Sequence, residues 1–161
     1  MHRHAERRHL PYPPEAVFDL VADVRRYPEF LPWLRAARVY NERPDGFDAD
    51  LVVGFKFYTE RFTSRVHLER PRRIHVDYIK GPLKYLHNEW RFAPADDGGT
   101  IVDFSVEFAF RSPVFEKLMG AVFTEAVHRM VASFEARARE LYGPAAPQGR
   151  PAWPVDGRRS R

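Results

Sequence analysis

Between residues 35 and 142 the hydrophobic period changes once, and this limits the fold more than any other feature of the chain. Up to Phe110 the apolar residues alternate; beyond Ser112-Pro113 they recur at helical spacing. Val102, Phe104, Val106, Phe108 and Phe110 alternate with Asp103, Ser105, Glu107 and Ala109, giving one apolar face and one largely wet face. Phe62, Ser64, Val66 and Leu68 alternate with Arg61, Thr63, Arg65 and His67, and Ile74, Val76 and Tyr78 do so less cleanly. Asn88, Trp90 and Phe92 share a face opposite Glu89 and Arg91. Turn signals at Pro44-Asp45-Gly46, Arg70-Pro71, Gly81-Pro82 and Asp97-Gly98-Gly99 separate the runs, so the segment predicts a series of antiparallel strands.

Ser112-Pro113 supplies an N-cap and a first helical residue, and Gly143-Pro144 supplies a stop. The interval predicts one helix about 43 Å long at 1.5 Å per residue. Phe115, Leu118, Met119, Val122, Phe123, Ala126, Met130, Phe134, Ala138 and Leu141 form its apolar stripe. Gly120 inside it costs about 1 kcal/mol relative to alanine, which predicts a close approach or a bend there. A curved antiparallel sheet with this helix across its concave face is the simplest α+β arrangement that buries both apolar surfaces.

Ahead of this unit, residues 3 to 11 predict a first strand, and Pro13-Pro14-Glu15 opens a helix. Val17, Leu20, Val21 and Val24 mark one face of that helix, which should end near Asp23. Tyr27-Pro28-Glu29-Phe30-Leu31-Pro32-Trp33 follows at once. Pro28 can open a helical turn and Pro32 limits it, so the segment is a stiff apolar corner that needs an apolar neighbour.

At 161 residues and 44% hydrophobic content the chain suits one domain. The predicted domain covers residues 1–143, and 144–161, with Pro144, Pro147, Pro151 and Pro154, reads as a disordered Pro/Arg-rich tail. The net charge of +4 comes mainly from that tail, since residues 1–142 hold 22 basic and 21 acidic side chains. A nearly neutral body with interspersed signs argues against a nucleic-acid surface, and no DNA partner is expected. The absence of cysteine excludes a disulfide framework, a cysteine-rich zinc site and a thiol nucleophile. With no apolar run of about 18 residues, the expected location is cytoplasmic, with peripheral inner-membrane contact left open.

Chemistry finds little footing. There is no nucleophile elbow, phosphate loop, zinc-protease helix or dinucleotide glycine fingerprint, and Asp96-Asp97 lies in a turn. No catalytic residue and no catalytic cofactor is expected. His67, His75 and His87 fall on separate strands in the solvent-facing phase, so no metal centre is expected either.

Several segments in order carry a resemblance: Val21-Ala22-Asp23, the corner 27–33, Val53-Gly54-Phe55, Glu60-Arg61-Phe62-Thr63-Ser64-Arg65-Val66, Gly81-Pro82-Leu83, Asn88-Glu89-Trp90-Arg91-Phe92, and Phe134-Glu135-Ala136-Arg137-Ala138. Over residues 3 to 143 the chain resembles the helix-grip START and polyketide-cyclase-like superfamily. Within it, the chain is most similar to the coenzyme Q-binding, ubiquinone-chaperone family, which also includes a bacterial ribosome-association toxin.

The resemblance implies a Bet v-like helix-grip fold and a hydrophobic cavity between sheet and C-terminal helix holding a polyprenylated quinone such as ubiquinone. It implies a non-catalytic role in respiration or quinone biosynthesis. The alternatives are a ribosome-binding inhibitor of translation and a cyclase or aromatase-like enzyme.

On this reading Phe30, Leu31, Pro32 and Trp33 wall the cavity mouth, against the simpler reading that they plug the core. Phe62, Trp90, Leu118, Met119 and Val122 line the interior. Asn88, in phase with Trp90, turns its amide inward, toward a quinone oxygen or a backbone partner. Leu83 belongs to a Gly81–Leu86 segment that is either a mobile lid or a plain hairpin.

Overall fold

The computed structural model describes residues 1–55 and 58–143. The proline-rich tail expected to be disordered lies outside the described residues. The elements in chain order are β1 (His2–Leu10), α1 (Pro14–Ala22), a 3₁₀ turn (Val24–Glu29), β2 (Leu34–Arg43), β3 (Gly46–Phe55), β4 (Tyr58–Glu69), β5 (Arg73–Lys80), β6 (Leu83–Pro94), β7 (Thr100–Phe110) and α2 (Pro113–Tyr142). The expected order of strand, two short helices, antiparallel strands and long helix is the observed one.

All neighbouring strands pair antiparallel in a seven-stranded sheet ordered β1-β7-β6-β5-β4-β3-β2. Sequential hairpins build six of the strands, and β1 closes the series by returning to β7. The helical pair between β1 and β2 lets the chain cross from one edge of the sheet to the other. Pro14 starts α1 without a side-chain cap, and Val17, Phe18, Leu20 and Val21 are its buried face. Ser112 caps α2 by accepting from the Phe115 N–H at 3.4 Å, and Gly143, at φ 86°, ends it.

The core is one cluster in which α1 contributes Phe18, the sheet contributes Phe47, Ile74 and Phe92, and α2 contributes Phe134 and Ala138. Two tyrosines tie the helices to the chain around them. The Tyr12 hydroxyl donates to the Gly143 carbonyl at 2.7 Å, and the Tyr142 hydroxyl donates to the Ala16 carbonyl at 2.9 Å. The C-terminal half of α2 is thereby fastened at the end of the sheet where α1 lies. Gly120 shows neither expected feature strongly: it is exposed, and a Cβ there would meet only His2 at 3.9 Å, an ordinary contact.

The convex face is more polar than alternation alone suggests, because Asp48 and Asp50 are buried there. Arg65 Nε and Asn41 Nδ2 each donate to Asp48 at 2.9 Å. The Tyr40 and Thr63 hydroxyls each donate to Asp50 at 2.8 Å. The Arg65 guanidinium holds the Asp48 carboxyl well below the usual carboxylate range. These carboxylates are structural, as each is engaged by donors from neighbouring strands.

Candidate functional site

The concave face has a tight end and a loose end. Strand register places Phe47 beside Val66, and Val66 beside Val76. That row continues from Val76 through Asn88 to Val106, and four residues along β3 and β4 Leu51 faces Phe62. Phe47, Val66, Ile74, Phe92 and Val102 are buried, whereas Leu51, Phe62, Val76, Asn88 and Val106 are half-buried. Apolar side chains that stay half-buried on the inner face of a sheet mark a groove that the domain's own core does not fill.

Helix α2 spans this face unevenly. Phe134 packs on Tyr27, Phe30 and Trp90 at ring-centroid distances of 5.5, 5.3 and 5.3 Å. At the other end Phe115 meets Tyr58 of β4 at 4.6 Å and Phe110 of β7 at 6.1 Å. Phe123 rests on Phe108 at 5.6 Å and on His2 at 5.5 Å. Between these anchors Met119, Ala126 and Met130 are half-buried. The groove is therefore bounded by Phe115 with Tyr58 at one end and by Phe134 with Trp90 at the other.

The polar groups in the groove are few. The Tyr58 hydroxyl is buried and has no hydrogen-bond partner among the described residues. Burial, with added repulsion from Glu60 and Tyr78, pushes the Tyr58 phenol up to about 12, so it is a neutral donor at any physiological pH. Asn88 Nδ2 donates to the Ser105 carbonyl at 3.0 Å, which uses one of its two N–H groups. Ser64 is buried on the same face, opposite Ala49 and Tyr78.

Of the residues expected at the site, Phe62, Asn88, Trp90 and Met119 lie on the facing surfaces of sheet and helix. The proline-bounded corner lies elsewhere. Tyr27 and Phe30 stand edge-on to Phe134 with the Arg137 guanidinium 5.2 Å over Phe30, so these rings close the core end, the simpler of the two readings. Leu31 packs against the core, and Pro32 is exposed. Trp33 is half-buried, and its carbonyl accepts from the Gly54 N–H at 2.9 Å, which pins the corner to β3.

Leu118 and Val122 are corrections. They are 57% and 40% exposed and do not wall an interior space. The inward line is set by buried Val127, and nine residues of helix put Leu118 about 180° from it. In the N-terminal half of α2 the broad stripe joined two lines, one through Leu118 and Val122 and one through Phe115, Met119 and Phe123, of which only the second turns to the sheet. Leu83 is a second correction to the lid reading. It is 3% exposed within β6, its N–H donates to the Tyr78 hydroxyl at 3.0 Å, and Gly81-Pro82 is a two-residue hairpin connection.

Two small, partly open pockets stand out among the described residues. One cavity of about 130 Å³ lies outside the groove, between Asp19, Asp23, Arg26, Phe30, Arg137 and Tyr142. Another of about 40 Å³ lies under α2 beside Trp90, Val102, Phe104, Val131 and Phe134. Sites that swallow a small molecule usually measure about 300–1,000 Å³. Neither of these two pockets, found among the described residues, has the size of the expected roomy cavity. Tyr58 was missed in the sequence because it follows Phe55 and Phe57, an aromatic run whose alternation gives no clear inward phase.

A curved seven-stranded antiparallel sheet closed by a C-terminal helix, with an apolar groove between them, defines the helix-grip class of START-like proteins. Residues 10–135 match the family described as polyketide cyclase / dehydrase and lipid transport, and the chain belongs to it. The ribosome association toxin RatA of Pseudomonas aeruginosa is 38% identical over 134 residues, which are 83% of this chain and 93% of that protein. Coenzyme Q-binding protein COQ10 homolog B of Xenopus laevis, a mitochondrial protein, is 32% identical over 144 residues, 87% of this chain and 59% of that protein. Among solved structures, the 18 kDa protein CC1736 from Caulobacter crescentus is 41% identical with a TM-score of 0.73, covering 89% of this chain and all of that one. The ZhuI aromatase/cyclase from a Streptomyces species shares the fold at a TM-score of 0.76 but only 18% identity, covering 87% of this chain and 95% of that one. No helix among the described residues is long and apolar enough to cross a membrane.

Proposed function

We propose that the protein is a non-catalytic carrier that takes a prenyl quinone such as ubiquinone, or a lipid of similar build, between its concave sheet face and the N-terminal half of α2. The observation that carries this reading is the half-buried apolar surface of Leu51, Phe62, Val76 and Met119, together with the buried hydroxyl of Tyr58, which has no partner among the described residues. A prenyl chain gains about 0.8 kcal/mol per buried methylene, and a quinone oxygen is an acceptor the phenol lacks. Acid or base chemistry is not required: Asn88 is already bonded to the backbone, and the phenol is held neutral.

Entry follows from the asymmetry of α2. The half around Phe134 and Ala138 stays in the core, and the half from Val114 to Phe123 lifts to admit the ligand. The exposed line Val114, Leu118 and Val122, with Arg111 and Lys117 exposed beside it, suits brief contact with an anionic bilayer during loading.

A second reading, ribosome association, is favoured by the relatives named RatA, which align over nearly their whole length. Organic extraction of the purified full chain followed by mass spectrometry separates the two. A stoichiometric quinone or related prenyl lipid supports the carrier. A lipid-free protein that sediments with ribosomal subunits, and leaves them steeply as salt rises, overturns it in favour of the second reading.

A further inference from the structure

The convex face carries a cluster that neither the groove nor the core uses. His67 on β4 and His75 on β5 are direct cross-strand partners, and their rings stack with centroids 5.4 Å apart. Asp77, two residues beyond His75, shares their face. One carboxylate oxygen of Asp77 lies 2.7 Å from His67 Nε2, and the other lies 3.3 Å from His75 Nε2. His67, His75 and His87 lie on separate strands, as expected, but antiparallel register brings the first two together.

We propose that His67, His75 and Asp77 form a surface binding site for a divalent transition-metal ion of the zinc class. Two imidazoles and a carboxylate are the donor set that such ions prefer over magnesium or calcium. Zinc bonds of about 2.0–2.2 Å place tetrahedral donors about 3.3 Å apart. The three donor atoms here all lie within 4.8 Å of one another, so side-chain rotation alone can close them around an ion. The strands fix the geometry in advance, because His67 and His75 are held by the sheet's own hydrogen bonds.

The surrounding charges are already committed elsewhere. Arg65, opposite Asp77 on β4, is bonded to Asp48 at 2.9 Å. Glu89, opposite His75 on β6, is bonded to Arg73 at 2.5 Å and to Arg91 at 2.8 Å. Asp77 is thus the carboxylate left to the two histidines. His87 stands opposite Asp77 on β6 and is in register to supply a fourth donor, with water as the alternative. The ion would clamp the β4–β5 hairpin from the face opposite the groove, so the site stands or falls independently of lipid binding.

The test is calorimetric titration of zinc chloride into the chelator-treated, tag-free full chain at pH 7.5 and 150 mM salt, with magnesium as the control ion. The expected result is one zinc ion bound, no magnesium, and a melting temperature that rises with zinc. His67→Ala, His75→Ala and Asp77→Asn should each weaken zinc at least about 10-fold, and His87→Ala should weaken it less. A double variant His2→Ala/His4→Ala should keep the site. His67, His75, Asp77 and His87 reach the surface whereas His2 is buried, so circular dichroism will check that every variant folds. No zinc binding at millimolar concentration, or binding lost in the His2/His4 variant but kept in His67→Ala, overturns the proposal.

Discussion

The two faces of the sheet treat their polar groups in opposite ways. On the convex face Asp48 and Asp50 are buried, yet arginine, asparagine, tyrosine and threonine donors from adjacent strands reach them. On the concave face the Tyr58 hydroxyl is buried with no partner among the described residues, amid apolar side chains that the fold leaves half-buried. A satisfied network needs nothing further, whereas an unpaired phenol beside uncovered apolar surface is stabilised by a ligand with one acceptor and a long apolar body.

The largest effect expected on this contrast comes from the anchor of the concave side. Phe134→Ala should cost about 3–5 kcal/mol in denaturant unfolding, since the ring is buried among Tyr27, Phe30 and Trp90. If Met119→Ala costs as much, the helix is uniformly packed and the tight-end, loose-end distinction fails.

The convex side should reveal itself in acid. The Asp48 carboxyl sits below its ordinary range because of Arg65, so the native state binds fewer protons there than the unfolded chain does. Its contribution is fully present above about pH 4 and is lost as pH falls toward the folded value. Asp48→Asn should lower stability at pH 7 and flatten the acid limb of a melting-temperature profile. An unchanged profile would remove the network from the account.

Tyr58→Phe separates the faces from the other direction. Deleting an unpaired buried hydroxyl should leave folding stability within about 1 kcal/mol of the parent while weakening quinone binding roughly 5-fold, the worth of one hydrogen bond. Equal loss of both would mean the hydroxyl is paired in the folded chain. The smallest stability effect belongs to Leu118→Ser, within about 0.5 kcal/mol for an exposed position. Its expected consequence is slower quinone transfer from anionic vesicles, measured by stopped-flow, with unchanged affinity in solution.

Most of the fold was legible because two periods carry it. Val102 to Phe110 could only be a strand with one apolar side, and the stretch capped by Ser112-Pro113 and ended by Gly143 could only be a helix. What the sequence leaves open is pairing. Asp48 and Asp50 stand out of phase with Phe47 and Ala49, which correctly puts them on the outer face; their burial comes from Tyr40, Thr63 and Arg65 on neighbouring strands. His67 and His75 meet for the same reason. The site was legible only in part. Phe62, Asn88, Trp90 and Met119 follow from alternation and helical phase, but a thirty-residue helix drifts enough that Leu118 and Val122 joined the wrong line. The corner at 27–33 was rightly expected to need an apolar neighbour, and which neighbour it meets, Phe134, is set by tertiary packing alone.

The most direct test of the groove is a titration of the isotopically labelled full chain with a short-chain ubiquinone, followed by NMR chemical-shift mapping. The account predicts saturable shifts at Leu51, Tyr58, Phe62, Val76 and Met119, with the convex residues Asp48, Asp50 and Thr63 unmoved. Saturating quinone that moves none of the concave residues, or moves only the exposed line Val114, Leu118 and Val122, would contradict it.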